Sequence, residues 1–364
     1  MSYLAVNVPV NSGSFGQVSL AILRELFYKS IDPAVFPIGG PIDPSDPCLA
    51  EEPDGFVDWI KRCEQKSLLH NRDNPCFKLW HLNGGIESFS KNQALMTFYE
   101  CDEPTPPELN AAKNNKLIVT NKYTQSVFKD HGVDSTVIPL GFDSYNFRPN
   151  TKKYFDDDRI CFNLCGKFEK RKNHRKIIQA WTKRFGNDKR YYLQCALWNN
   201  FFPEEDNKNN FVSCLDGEHY FNVQFLSYLP SNKLYNDFLN SGHIIVAMSG
   251  GEGWGLPEFQ SLCLGKHAVT LNAHAYKDWA DEDNSVMISP TRKVDAHDGF
   301  FFKKGGSFNQ GSFYDFNEDE FISGCEEAIE KFKKNNTNHA GVELKNKFSY
   351  KHTTEKIIET LENM

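Results

Sequence analysis

Short runs of Val, Ile, Leu and Phe alternate with longer stretches of helical periodicity along the whole chain. That alternation marks parallel sheets covered by helices. In the first half YLAVNVPV reads as a strand, NSGSFGQ as a glycine-containing turn and VSLAILRELFYK as a helix. Further strands are expected at FKLWHLN, ALMTFY, KLIVTN and STVIPLG, and a surface loop over the Pro-, Asp- and Gly-rich stretch Ile38–Asp54. The second half repeats the logic, with strands at RICFNLC, YYLQCALW, FNVQFLSY, HIIVAMS, HAVTLN and SVMIS. Helices are expected there from about Asn173 to Phe185, Ser231 to Leu239, Pro257 to Leu264 and Asp319 to Lys333, and the amphipathic FSYKHTTEKIIETLENM ends the sequence. The charged, proline-containing FDSYNFRPNTKKYFDDDR separates the halves, near residues 150–151. The pattern predicts two doubly wound α/β domains facing each other across a cleft.

A length of 364 residues suits two domains of ordinary size. An aromatic content of 14% and a charged content of 24% exclude a disordered chain. Acidic side chains outnumber basic ones, 48 to 41, so the electrostatic footprint of a protein that coats nucleic acid is missing. Residues 1–150 hold 13 basic and 18 acidic groups, net −5, against 28 and 30, net −2, in the remainder. The acidic first half argues against docking on anionic lipid or DNA through that half. No apolar run reaches the roughly 18 residues of a membrane span. The opening MSYLAVNVPVNSG lacks a secretory signal's basic flank and cleavage site, so a cytoplasmic location is expected. Ten cysteines include no Cys-x-x-Cys pair; Cys161 and Cys165 come nearest, on one face of a strand, and reduced core thiols are expected.

The strongest chemical signal is SGGEGWGLPEFQSLCLGKHAV, residues 249–269. It leaves a strand, passes Gly250, Gly251, Gly253 and Gly255, and enters a helix with Pro257 suited to its first position. Such glycines let backbone approach a ligand, and N–H groups at a helix start attract phosphate oxygens. Glu252 projects from the turn and Gln260 lies further along the helix, so the pattern describes a pocket for a sugar nucleotide. The second signal is CGKFEKRKNHRKIIQAW, in which Gly166 ends a strand and Lys167, Lys170, Arg171, Lys172, Arg175 and Lys176 face only Glu169. A diphosphate would relieve that density of like charge; a solvated face is the alternative for such a run on its own.

Together these stretches resemble the family-4 glycosyltransferases, retaining enzymes of the GT-B fold. Gly166-Lys167 with Lys172-Asn173 is similar to the family's Gly-[Arg/Lys] turn and helix-opening Lys-Asn, and Glu252-Gly253-Trp254-Gly255-Leu256-Pro257 to its EGFGLP-like turn. VIPLGFDSYNF and FLSYLPSNKLYNDFLNSGHIIVAMS resemble the flanking segments, and the likeness covers most of residues 115–290 plus the tail. It implies an amino-terminal acceptor-side domain over 1–150 and a donor-binding domain over 151–344. A helix over 345–364 is implied to return to the first domain. It also implies a nucleotide-sugar donor whose leaving diphosphate is held by Lys167, Lys172, Arg171, Gly166 and the backbone at Gly250, Gly251 and Gly253, with neither metal nor other cofactor. Glu252 would orient the donor sugar.

Two departures stand out. The family's second glutamate, which binds the nucleotide ribose, is Gln260 here; Gln keeps an acceptor oxygen and loses the charge. The family's first-domain histidine falls on MTFYECDEP, leaving Tyr99, Glu100, Asp102 or the nearby His81 as replacements. Glu100 and Asp102 suit a proton-accepting role or a capped turn. His81 reads as a packed side chain and His174 as a helix-start residue, while Asp156-Asp157-Asp158 reads as solvated linker. Gly13 and Gly16, ahead of the first helix, resemble the family's loop beside phosphates and acceptor. The resulting expectation is a retaining hexosyltransferase, with Ala at Glu252 or Lys172 severely lowering transfer but leaving the chain folded. A sugar-nucleotide epimerase and a non-catalytic nucleotide-sugar binder remain alternatives. The acceptor stays open among glycan, lipid, protein and modified nucleic-acid base, as do the nucleotide and the oligomeric state.

Overall fold

The structure, a computed structural model, describes residues 4–155 and 158–364. Asp156 and Asp157 of the acidic linker therefore lie outside the described residues. The chain forms two compact units. The first runs to Asp143 and also contains Phe302–Gly311 and Asn346–Met364, and the second comprises Ser144–Phe301 and Ser312–Lys345.

The first unit is built on β1 (Ala5–Pro9), α1 (Ser14–Tyr28), β2 (Ala34–Ile38), α2 (Phe56–Lys66), β3 (Cys76–Leu79), β4 (Gln93–Thr97), α3 (Pro106–Lys113), β5 (Lys116–Val119), α4 (Lys122–Asp130) and β6 (Ser135–Val137). Its parallel sheet has the order β2-β1-β3-β4-β5-β6. Strands β1, β3 and β4 are buried throughout, as expected of central strands covered on both faces. The second unit contains β7 (Ile160–Cys165), α5 (His174–Phe185), β8 (Tyr191–Ala196), α6 (Glu204–Ser213), β9 (Val223–Phe225), α7 (Asn232–Ser241), β10 (Ile244–Ala247), α8 (Leu256–Cys263), β11 (His267–Leu271), β12 (Val286–Ile288), β13 (Pro290–Asp295), β14 (Ser312–Phe316) and α9 (Glu318–Lys334). Its parallel sheet is ordered β12-β11-β10-β7-β8-β9, with β13 and β14 as a separate antiparallel pair.

Helix α10 (His339–Lys347) leads to α11 (Tyr350–Glu362), which packs on α1. That neighbour explains why α1 is buried almost all round, Val18 to Leu26. The tail is strapped down by the Phe142 N–H donating to the Phe348 carbonyl at 2.9 Å and the Thr353 hydroxyl donating to the Pro139 carbonyl at 2.8 Å.

Segment 302–311, placed in the second domain by the sequence reading, belongs to the first unit. It is held at the start of α3, where Thr105 and Glu108 form a reciprocal capping box. Glu108 also accepts the Asn309 N–H at 2.8 Å, and the Thr105 hydroxyl donates to the Ser307 carbonyl at 2.6 Å. All ten cysteines are buried free thiols, and among the described residues no helix is long and apolar enough to cross a membrane.

Candidate functional site

In the second sheet the strand order reverses between β7 and β10, which lie side by side. Loops leaving such a switch point diverge and open a crevice at the carboxyl ends of the strands. The two motif-bearing segments leave β7 and β10 at that point, so the topology brings together residues 80 positions apart. Gly166 turns the chain after β7 with φ 123°, a region closed to side chains with a Cβ. A single 3-10 turn, Lys170–Lys172, then precedes α5, and the left-handed Asn173 joins them. The Asn173 amide donates to the Met248 carbonyl at 2.7 Å, clamping this bend to the end of β10.

The turn after β10 is buried from Ser249 through Leu256. Gly255 ends it with φ 84° and caps α8, which starts at Leu256 with Pro257 second, one residue earlier than the sequence predicts. Among the four glycines of the turn only Gly255 has a positive φ.

Gly250 requires a correction. The sequence pattern assigns it to ligand phosphate, yet its N–H donates to the Arg171 carbonyl at 2.7 Å and its carbonyl accepts the Tyr314 N–H at 2.9 Å. Its missing side chain makes room for β14: a Cβ there would stand 2.3 Å from the Tyr314 oxygen. Gly250→Ala is therefore expected to lower stability by about 1–3 kcal/mol through overpacking. A urea midpoint equal to wild type would show that the turn does not lean on β14. The Gly251 carbonyl accepts from Arg171 Nη1 at 2.7 Å, and Gly253 lies buried in the same turn.

Five charged side chains meet under these backbones. Glu252, 6% exposed, takes Arg171 Nη1 at 2.9 Å and Lys172 Nζ on the same Oε1. Arg171 Nε also donates to Glu169 at 2.8 Å, and Lys167, 42% exposed in its side chain, pairs with Glu169 at 3.0 Å. Burial alone would raise the Glu252 pKa, but Lys172 and Arg171 outweigh it and hold the carboxyl at about 2. Burial likewise opposes the charge on Lys172, and Glu252 overcomes it, leaving the ammonium more basic than usual. His174, first in α5 and fully buried, is pushed down to about 3 by burial and then by Lys172, so its imidazole is neutral.

Beyond these, Gln260 is buried in α8 and its Oε1 makes no hydrogen bond. Sequence reasoning missed His274, whose ring bonds the Ser249 carbonyl at 2.8 Å, and Trp279, whose indole donates to the Trp254 carbonyl at 2.9 Å. No local pattern marks either one. It also passed over Glu258, whose signal was a carboxyl inside the apolar run LPEFQSLC.

The other expected residues lie in the first unit. Gly13 is the N-cap of α1, but Gly16 sits inside the helix and not in a turn ahead of it, because α1 begins at Ser14. A Cβ at Gly16 would come 2.0 Å from the Asn11 carbonyl, so this glycine serves packing of the helix start. The first sheet has its own switch point between β1 and β3. There Phe15 stacks on Phe98 at 4.3 Å and meets His81 at 4.5 Å and Trp80 at 5.5 Å. His81 is exposed, contrary to the packed reading. Tyr99 is 5% exposed against Phe128, which removes it as a histidine replacement facing a ligand. Half-buried Glu100 and Asp102 follow β4, and Asp102 Oδ1 abuts Gly311, where a Cβ would come within 2.2 Å. Among the described residues no three His, Cys, Asp or Glu side chains group as a metal site.

Neither a family profile nor a curated protein sequence matches this chain. Solved structures do. Sucrose-phosphate synthase from Thermosynechococcus elongatus matches 100% of this chain and 99% of its own at 10% identity, TM-score 0.71. A glycosyltransferase from Rickettsia africae ESF-5 matches 99% and 98% at 11% identity, TM-score 0.68. Anabaena Alr3699/HepE in complex with UDP-glucose matches 100% of both chains at 12% identity, TM-score 0.65. At such identities the likeness is one of fold, and the two parallel six-stranded sheets of this chain are those of the GT-B glycosyltransferase fold.

Proposed function

We propose that this protein is a glycosyltransferase that takes a sugar from a nucleotide donor with retention at the anomeric carbon and without a metal ion. The observation that carries the reading is the meeting of the Gly166–Lys172 bend and the Ser249–Gly255 turn at the β7/β10 switch point, locked by Glu252 with Arg171 and Lys172. In this reading the donor diphosphate lies against Lys167 and the first turn of α8, within the field of Arg171 and Lys172. Those charges stabilise the leaving nucleoside diphosphate as the bond from the anomeric carbon to the phosphate oxygen breaks. The acceptor hydroxyl oxygen forms the new bond on the same face, and its proton passes to the departing diphosphate. Gln260 Oε1, buried without a partner, suits a ribose hydroxyl. The cluster of Phe15, Trp80 and His81 at the β1/β3 switch point suits the acceptor side, with Glu100 and Asp102 in the segment that follows β4 and Phe98 of the same unit. The solved HepE complex contains UDP-glucose, which makes uridine donors the first to try.

A thermal-shift series with UDP-, GDP- and ADP-sugars tests the reading. One of them is expected to stabilise the protein by about 2.7 kcal/mol at a hundredfold excess over its Kd. Stabilisation by none would remove the donor site. Donor turnover without any acceptor would favour an epimerase.

A further inference from the structure

One buried carboxyl at the switch point has no ion pair among the described residues. Arg171 and Lys172 supply two buried cations and Lys167, partly exposed, a third, and all three are paired with the buried Glu169 or Glu252. Glu258, 3% exposed in the first turn of α8, is a further carboxyl in the same volume, and its Oε2 makes no close hydrogen bond although the Tyr276 hydroxyl lies toward it. It folds back over the cap of its own helix: a Cβ on Gly255 would lie 3.1 Å from Oε2 and 2.4 Å from the Tyr276 ring. The titratable and charged groups facing it are Lys172 and Arg171 from the bend, Glu252 from the turn, Cys165 at the end of β7, Tyr235 on α7 and Tyr276 after β11. Only the first two are cations, and both are already paired with carboxylates. A buried carboxylate without its own counter-ion is costly, so the neutral acid is the form that fits.

We propose that Glu258 is a positioning residue that makes donor binding proton-linked: as the neutral acid it leaves Lys172 to Glu252 and the diphosphate, and as the anion it competes for Lys172 and repels the diphosphate. The inference rests on the nucleotide-sugar reading of this site and names a regulator of it. Two opposing influences set the titration. The helix start and Lys172 favour the anion. Burial, the largest influence, together with Glu252 favours the acid, and the balance stands at about 7. An incoming diphosphate adds negative charge beside Lys172 and shifts the balance further toward the acid. Binding above neutrality therefore takes up a proton. Gln260, two residues on, carries no proton to give, so the linkage belongs to Glu258 alone among the side chains of α8 that face this cluster.

Two measurements test this on the full chain. Without ligand, difference infrared spectroscopy should show the carbonyl stretch of a protonated carboxyl at pH 6. That band should fade on titration through pH 7 and be missing in Glu258→Gln. Its absence from wild type would overturn the inference whatever the protein binds. With ligand, calorimetry uses UDP-, GDP- or ADP-glucose, whose diphosphate diesters stay doubly ionised, with unchanged charge, across neutral pH. Wild-type affinity should fall by up to about tenfold per pH unit above 7, with proton uptake seen as a buffer-dependent heat. Glu258→Gln should hold a flat profile. Tight binding with a flat wild-type profile would overturn the linkage and leave the donor reading standing. Binding of none of the three at any pH would overturn both.

Discussion

Glu252→Ala is expected to reduce sugar transfer by at least about a hundredfold and, separately, to cost about 3–5 kcal/mol of folding stability. The second effect follows from where the carboxylate lies. Read from sequence, Glu252 projects from a turn and Lys172 from a basic face, so Ala at either position should spare the fold. In the structure each is more than nine-tenths buried and they hold one another, with Arg171 as third member. Truncating one leaves a buried charge facing too few counter-ions, which costs more than the intact pair contributes. Lys172→Ala should be destabilised comparably. The double variant Lys172→Met with Glu252→Leu should recover much of the stability and none of the transfer. Glu252→Gln keeps the acceptor oxygen and should fall between. The sign with pH is fixed too: Glu252 titrates near 4.5 unfolded and about 2 folded. Its contribution is thus complete above pH 4.5 and drains away toward pH 2. Urea unfolding of the single and double variants, with turnover measured on the folded protein, decides the matter. Wild-type stability in both single variants would mean that the ion pair is not what closes this turn.

The site was legible in sequence to the extent that it depends on local backbone. Gly166 and Gly255 need left-handed conformations, and their spacing from strand ends announced two ligand-facing turns. Which groups those turns employ was not legible. Gly250 looked like a phosphate contact because a glycine between a strand and a helix is the usual sign of one, whereas here it yields to a strand 64 positions later, β14 at Tyr314. The β13–β14 pair itself escaped notice, since PTRKVD alternates without a strong apolar face. Helix α6, EEDNKNNFVS, escaped for the same reason, with only Asn207 and Phe211 buried. Central strands such as β7 and β10 were plain because burial on both faces leaves an unbroken apolar run. Short elements at the margins bury too little to write a period into the sequence. The charge balance that isolates Glu258 depends on which ions pair across the switch point, and no linear spacing encodes it.

Arg24→Met is expected to cost the first unit about 3–5 kcal/mol, the largest purely structural effect outside the switch point. Arg24 sits on α1 among Val18, Leu20 and Leu23, where sequence periodicity offers no reason for a cation. Its guanidinium bridges two acids that approach from distant parts of the chain. Nε and Nη2 grip Glu52 at 2.7 and 2.6 Å, and Nη1 reaches Asp143 at 2.8 Å. The side chains of Arg24 and Glu52 are 4% and 0% exposed. Burial would weaken the cation, but the hydrogen bond to Glu52 and the charges of Asp143 and Glu52 hold it more firmly protonated than a free arginine. Met fills the volume and removes the charge, so two buried acids face each other with no guanidinium between them. Arg24→Lys keeps the charge but cannot grip Glu52 with two parallel bonds and should lose a smaller share. The deficit of Arg24→Met should shrink on acidification, because protonating the two carboxyls removes the opposed charges. Hydrogen exchange resolved along the chain suits a two-unit protein, where one global unfolding curve mixes events. Amides of α1, β1 and β3 should lose protection in the variant while those of β7, β10 and β11 keep theirs. Equal loss in both sets would show that the triad stabilises the whole chain and not the unit that contains it.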